Sequence, residues 1–261
     1  MKGIIGAICG DIIGSTREHN RIKTKDFDLF PRHSTFTDDT ILTLAVANWL
    51  IKDRSSEKVL VDELQYFGNT YPGGGYGGRF HHWLRQENPE PYGSWANGSA
   101  MRVSPCAWVA DSLEEAQDLA YASAVVTHNH PEGIKGALAT CDAIYLARIG
   151  ASKDEIKDHI EVRYEYDLSR SLDEIRPDYT MHLACQRSVP ESIICFLEAR
   201  DFEDAIRNAV SLGGDADTQA AIAGSIASAC WDVPDYMVSE VVNILDDRLL
   251  TVFTDFEEKF L

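Results

Sequence analysis

Two short runs of this chain carry oxygen-bearing side chains at a spacing that suits a hard cation. The first is Thr37-Asp38-Asp39-Thr40, ahead of Ile41, Leu42, Leu44, Ala45, Ala47, Trp49 and Leu50, whose apolar pattern predicts a largely buried helix. The second is Gly213-Gly214-Asp215-Ala216-Asp217-Thr218, ahead of a stretch of small residues. Each run puts two carboxylates and a threonine hydroxyl at a helix start. Taken singly, either is explained equally well by capping, because threonine and aspartate cap helices and acidic first turns suit the helix dipole. Taken together, they form a set of hard oxygen donors that suits Mg²⁺ or Mn²⁺ rather than zinc or copper. Like charges converging on one place repel unless a cation lies among them. Spacing alone does not establish that the two runs meet.

The elements that must position these runs are helices. Besides the helix after Thr40, helical patterns cover 113–126, 133–149, 188–199, 201–212, 216–231 and 235–250. Pro131, Pro190 and Pro234 are expected near helix starts, where proline is tolerated. One segment, 161–169, alternates Val162, Tyr164, Tyr166 and Leu168 and reads as extended, but one strand cannot build a sheet. Gly3, Gly6, Gly10 and Gly14 recur every three or four residues, and so do Ala216, Ala220, Ala223, Gly224 and Ala227. Glycine in a helix costs about 1 kcal/mol relative to alanine. Close approach of two central helices is the expected compensation. Pro72 to Gly78 forms a glycine-rich loop, and no linker or repeat divides the chain. The fold class expected is all-α: a compact orthogonal helical bundle, with 1–261 as a single domain around a central cleft.

Composition narrows the partners. The 261 residues include 24 Lys and Arg against 42 Asp and Glu, a formal charge of −18. That balance argues against bare nucleic acid and anionic membranes as partners. It leaves room for a phosphate-bearing small ligand, since a metal or pocket can reverse the local sign. The six cysteines form no CxxC pair, so they are expected as buried free thiols in a reducing, cytoplasmic setting. No sustained heptad suggests a coiled coil, and a monomer is expected.

At these residues the sequence resembles the ADP-ribosylglycohydrolase family. The resemblance runs in order through Gly10-Asp11-Ile12-Ile13-Gly14-Ser15-Thr16-Arg17-Glu18, Phe36-Thr37-Asp38-Asp39-Thr40, Tyr76-Gly77-Gly78, Asn97-Gly98-Ser99-Ala100-Met101-Arg102, Thr127-His128 and Gly213-Gly214-Asp215-Ala216-Asp217-Thr218. It implies an all-helical fold with two Mg²⁺ or Mn²⁺ ions at the base of a cleft. It implies metal ligation by Thr37, Asp38, Asp39, Asp215, Asp217 and Thr218, with Glu18 near the metals and the distal ribose. It further implies that Ser94, Trp95, Asn97 and Gly98 cradle the pyrophosphate and adenosine of ADP-ribose, and that Gly77, Gly78 and His128 line the same cleft. Glycines suit that task because their backbone N–H groups approach phosphate oxygens closely. Trp95 suits stacking or a core position equally. Arg102 is read as a structural lock on its loop, and the adjacent His81 and His82 are not read as a metal pair.

The expected reaction is cleavage of the glycosidic bond at C1″ of an ADP-ribose conjugate, such as an ADP-ribosylated protein. Asp38 or Asp39 would take a proton from water, and Glu18 or Asp39 would steady positive charge or protonate the leaving group. Two other functions fit the residues: metal-dependent phosphoester hydrolysis, and a non-catalytic ADP-ribose-binding or structural protein on the same scaffold.

Overall fold

The computed structural model describes all 261 residues, and its only β-type pairing is a single bridge between Ala96 and Ala184. The first half comprises α1 (Ile5–Gly14), α2 (Asp38–Asp53), α3 (Glu57–Thr70), α4 (Gly78–Trp83), α5 (Gly98–Met101), α6 (Ser104–Val109), α7 (Leu113–Val125) and α8 (Pro131–Arg148). The second comprises α9 (Lys153–Tyr164), α10 (Leu172–Ile175), α11 (Cys185–Leu197), α12 (Phe202–Ser211), α13 (Ala216–Cys230), α14 (Asp235–Ile244) and α15 (Asp247–Phe260).

The small-residue stripes meet as expected. Helix α1 is buried along its whole length and lies against α13. A Cβ on Gly10 would sit 2.0 Å from the Ala220 carbonyl oxygen, and one on Gly14 would sit 2.4 Å from that of Ala216. The fit is reciprocal, since a Cβ on Gly224 would sit 2.4 Å from the Gly6 carbonyl oxygen. Nothing larger than glycine allows these backbones to touch. Around this pair, α8, α11 and α12 pack on α13, while α2 packs on α1 and carries α3, α6 and α15 outside it. One continuous cluster of 76 buried apolar residues fills the interior. Five cysteines are buried and Cys230 is half-buried, all as free thiols. No helix is long and apolar enough to cross a membrane.

Three local expectations are corrected. Segment 161–169 is not extended throughout: α9 continues to Tyr164, and Glu165, in the left-handed region at φ 54°, ends it. The burial pattern that decides this is Ile156, Ile160 and Tyr164, at helical spacing, while Val162 is 84% exposed. A capping box of Ser152 and Glu155 starts that helix. Segment 235–250 is two helices, because Asp246 accepts the N–H groups of Arg248 and Leu249 and so starts a new one. Pro190 lies inside α11 rather than at its start, so the Gln186 carbonyl receives no helical N–H from it.

Candidate active site

The site is assembled on Asp11, in the middle of α1. Its glycine neighbours bring α1 so close to α13 that this carboxylate is fully buried beside the start of α2. Thr37 N–H (2.9 Å) and Thr40 N–H (3.0 Å) donate to Asp11 Oδ2, as does Thr40 Oγ1 (2.5 Å); Thr37 Oγ1 donates to Asp11 Oδ1 (2.7 Å). The orphan N–H groups at the head of α2 are thus satisfied by a residue of another helix. Burial pushes the Asp11 carboxyl up, and these four donors pull it back. Thr37 also caps α2 by accepting the Asp39 N–H at 3.3 Å. The capping reading of the first run holds.

The second run is held by a different device. Gly213 sits at φ +67°, against the Ile22 carbonyl and the Lys23 side chain. Lys23 Nζ donates to three carbonyls, Arg176 (2.7 Å), Tyr179 (2.5 Å) and Leu212 (2.6 Å), and so pins the loop that leads into α13. Asp215 precedes α13 and Asp217 lies in its first turn.

The two runs do meet. Thr218 Oγ1 donates to Asp39 Oδ2 at 3.2 Å. Carboxylate oxygens of Asp11, Asp39 and Asp217 lie within 4.8 Å of one another, and so do those of Glu18, Asp215 and Asp217. Asp217 belongs to both groups. Burial, and then the surrounding carboxylates, push Asp38, Asp39 and Asp217 well above the usual carboxylate range; burial also raises Asp215 and the half-buried Glu18. Asp39 Oδ1 is buried with no hydrogen-bond partner at all. Packed acids with an orphaned oxygen fit a hard divalent cation, which would satisfy the oxygen and screen the repulsion.

Glu18, Asp38, Asp39, Asp215 and Asp217 line a cleft of about 510 Å³. The Asp38 N–H donates to the Gly74 carbonyl at 2.7 Å, which fastens the glycine-rich loop beside them. Gly77 and Gly78 line the cleft, and a Cβ on either would meet nothing within 4 Å. Ser94, Gly98 and His128 line it too, with the cations Arg79 and Arg102. The cleft is thus lined by both acids and cations. A larger groove, of about 670 Å³ between α2, α3 and α15, gathers no comparable acid cluster; its Lys52 and Glu63 are already paired at 2.5 Å.

Two residues of the 94–98 loop sit differently from the rest. Asn97 lines the cleft, but its side-chain amide is committed to Asp215 Oδ2 (2.6 Å) and Ser188 Oγ (3.1 Å). Trp95 is not part of the cleft wall; it is 48% exposed, with its ring edge on His130 at 5.6 Å between centroids. Arg102 is fully buried and donates to the Ser123 carbonyl and to Thr127 Oγ1, which ties its loop to the end of α7. His81 pairs with Arg85 at 3.0 Å and joins no acid cluster. Sequence reasoning missed Asp11. The available signal was a carboxylate placed among helix-packing glycines, where solvation is impossible and a partner is required.

Known proteins resemble this chain over most of its length. The ADP-ribosylglycohydrolase family model matches residues 1–258. The chain is 28% identical to ADP-ribosylhydrolase ARH3 of Mus musculus over 87% of its own length and 82% of that protein's. It is 29% identical to the Homo sapiens ARH3, over 87% and 84% respectively. A solved structure titled ADP-ribosylglycohydrolase-related protein complex shares the fold, with a TM-score of 0.74 at 20% identity over 99% of this chain and 96% of that one. The chain belongs to the ADP-ribosylglycohydrolase family, a family of hydrolytic enzymes.

Proposed function

We propose that this enzyme hydrolyses the C1″ glycosidic bond of ADP-ribose conjugates, releasing ADP-ribose from a modified protein side chain, with two Mg²⁺ or Mn²⁺ ions among the carboxylates of the cleft. The observation that carries this reading is the pair of carboxylate groups sharing Asp217. Thr37, Asp38, Asp39, Asp215, Asp217 and Thr218 would hold the ions. When bound, the ions supply Lewis acidity, which orients ribose hydroxyls and water and eases loss of the water's proton. The acid cluster takes the distal ribose, and the glycine loop with His128 takes the diphosphate.

Asp38 or Asp39, the two carboxylates in the first turn of α2, receives the proton of the attacking water. Glu18, half-buried beside Asp215 and Asp217, is the carboxyl assigned to the leaving group. The remaining carboxylates steady the oxocarbenium-like charge on the ribose. Asp38 sits between the acids and the glycine loop, and so aligns ribose with diphosphate.

The test incubates metal-loaded protein with arginine-linked and serine-linked ADP-ribosylated substrates, with and without EDTA, and measures free ADP-ribose. Release that EDTA abolishes is the expected result, and the substrate that yields it names the linkage. ADP-ribose binding without release from either substrate would replace the proposal with a non-catalytic binder. Neither binding nor release would overturn it.

A further inference from the structure

His128 lines the cleft, and its two ring nitrogens face different surroundings. Nδ1 lies 2.7 Å from Thr127 Oγ1. Nε2 faces Gly98, where a Cβ would come within 3.1 Å of it. Thr127 Oγ1 has one further partner, Arg102 Nη2, at 2.9 Å.

The proton positions follow from what each group can do. A guanidinium only donates, so Thr127 Oγ1 must accept from Arg102. The single hydroxyl proton of Thr127 then has one acceptor within reach, His128 Nδ1. Giving that proton to Nδ1 uses the full capacity of the Thr127 hydroxyl, and it leaves Nδ1 bare with the hydrogen of the neutral ring on Nε2. We propose that Thr127 is a positioning residue: with Arg102 behind it, it fixes His128 as an Nε2–H donor aimed at an oxygen of the bound ADP-ribosyl group.

The surroundings also keep the ring neutral. Burial holds His128 well below the usual histidine range, and the charges of Arg102 and Arg79 act in the same direction. Tyr92 is the other titratable ring nearby, at 6.1 Å, and no carboxylate pairs with His128. Both effects favour the neutral ring over the imidazolium.

The donor role rests on reading the cleft as an ADP-ribosyl site; the tautomer does not, and the two are measured apart. Imidazole ¹⁵N–¹H spectra of ligand-free protein, with His128 assigned through His128→Asn, are expected to show a protonated Nε2 and a bare Nδ1 from pH 5.5 to 8. A protonated Nδ1, or a ring that titrates in that range, overturns the relay even if no Thr127 variant folds. Thr127→Val should release the tautomer and weaken ADP-ribose binding about tenfold, the scale of one lost hydrogen bond. Thr127→Ser should restore both. A Thr127→Val protein with unchanged affinity overturns the positioning role. Failure of the wild type to bind ADP-ribose overturns the cleft reading and the donor role with it.

Discussion

Asn97 donates its side-chain amide to Asp215 Oδ2 at 2.6 Å, from 118 residues away in the chain. The second amide hydrogen goes to Ser188 Oγ, and the backbone N–H of Asn97 goes to the Leu183 carbonyl at 2.7 Å. Asp215 makes no capping bond to its own helix, and the Asn97 amide is the donor that reaches it from another element. Outer partners that aim a metal ligand are typically worth 10–100-fold in affinity. Asn97→Ala is therefore expected to weaken Mn²⁺ binding by about that factor, read by calorimetry. Asn97→Asp should weaken it further, because it places a like charge against Asp215. An unchanged isotherm in Asn97→Ala would show that Asp215 needs no such support.

Asp217 is shared by both carboxylate groups, so its loss should be felt at both. Asp217→Asn is expected to abolish metal-dependent turnover. The same substitution should raise the melting temperature of the metal-free protein, since burial and neighbouring acids strain this carboxyl. A merely destabilised variant would move the other way. Activity at wild-type rate would remove Asp217 from the site, and melting of the metal-free protein separates the two explanations.

The parts of the site legible in the sequence are those where a local run already carries the chemistry. The runs at 37–40 and 213–218 show their oxygen donors side by side, and the stripe of Gly6, Gly10 and Gly14 announces a close helix contact. Asp11 was not legible as a site residue, because its partners are Thr37 and Thr40 and nothing near it in the chain shows them. The outward turn of Trp95 was also hidden, since a tryptophan suits stacking or a core position equally and neither points it to solvent. The Thr127–His128 contact is local, but its meaning depends on Arg102 reaching in from another element. Segment 161–169 failed for a simpler reason. Its alternation ran across a helix end, and the stronger signal, Ile156, Ile160 and Tyr164, began before it.

The α1–α13 contact can be tested by adding one methyl group. At Gly10 the obstacle is the Ala220 backbone, which cannot step aside as a flexible side chain would. Gly10→Ala is expected to cost about 3 kcal/mol, the upper end for overpacking, or more. In a chain of this size that is a melting drop of roughly 6–12 °C. Gly73→Ala is the control, because nothing lies within 4 Å of its Cβ position and its cost should stay within about 0.5 kcal/mol. Equal melting of the two variants would deny that the glycine stripe sets the helix spacing.

Glu257 provides a pH dependence separate from the acid cluster. It packs against Gly3, its Oε1 has no hydrogen-bond partner, and burial raises its carboxyl to about 7. Its folded value lies above its unfolded one, so the folded state binds the proton more tightly. The stability it contributes is complete below the ordinary glutamate range and is lost as pH rises through 7. Glu257→Gln keeps the shape of the protonated form and removes the titration. Melting of the metal-loaded wild type and variant should coincide near pH 4.5 and diverge through pH 7, with the variant higher at pH 8. Comparing the two under the same metal cancels the pH dependence of the metal site itself. A constant gap from pH 5 to 8 would mean that Glu257 is solvated well enough to stay ionised.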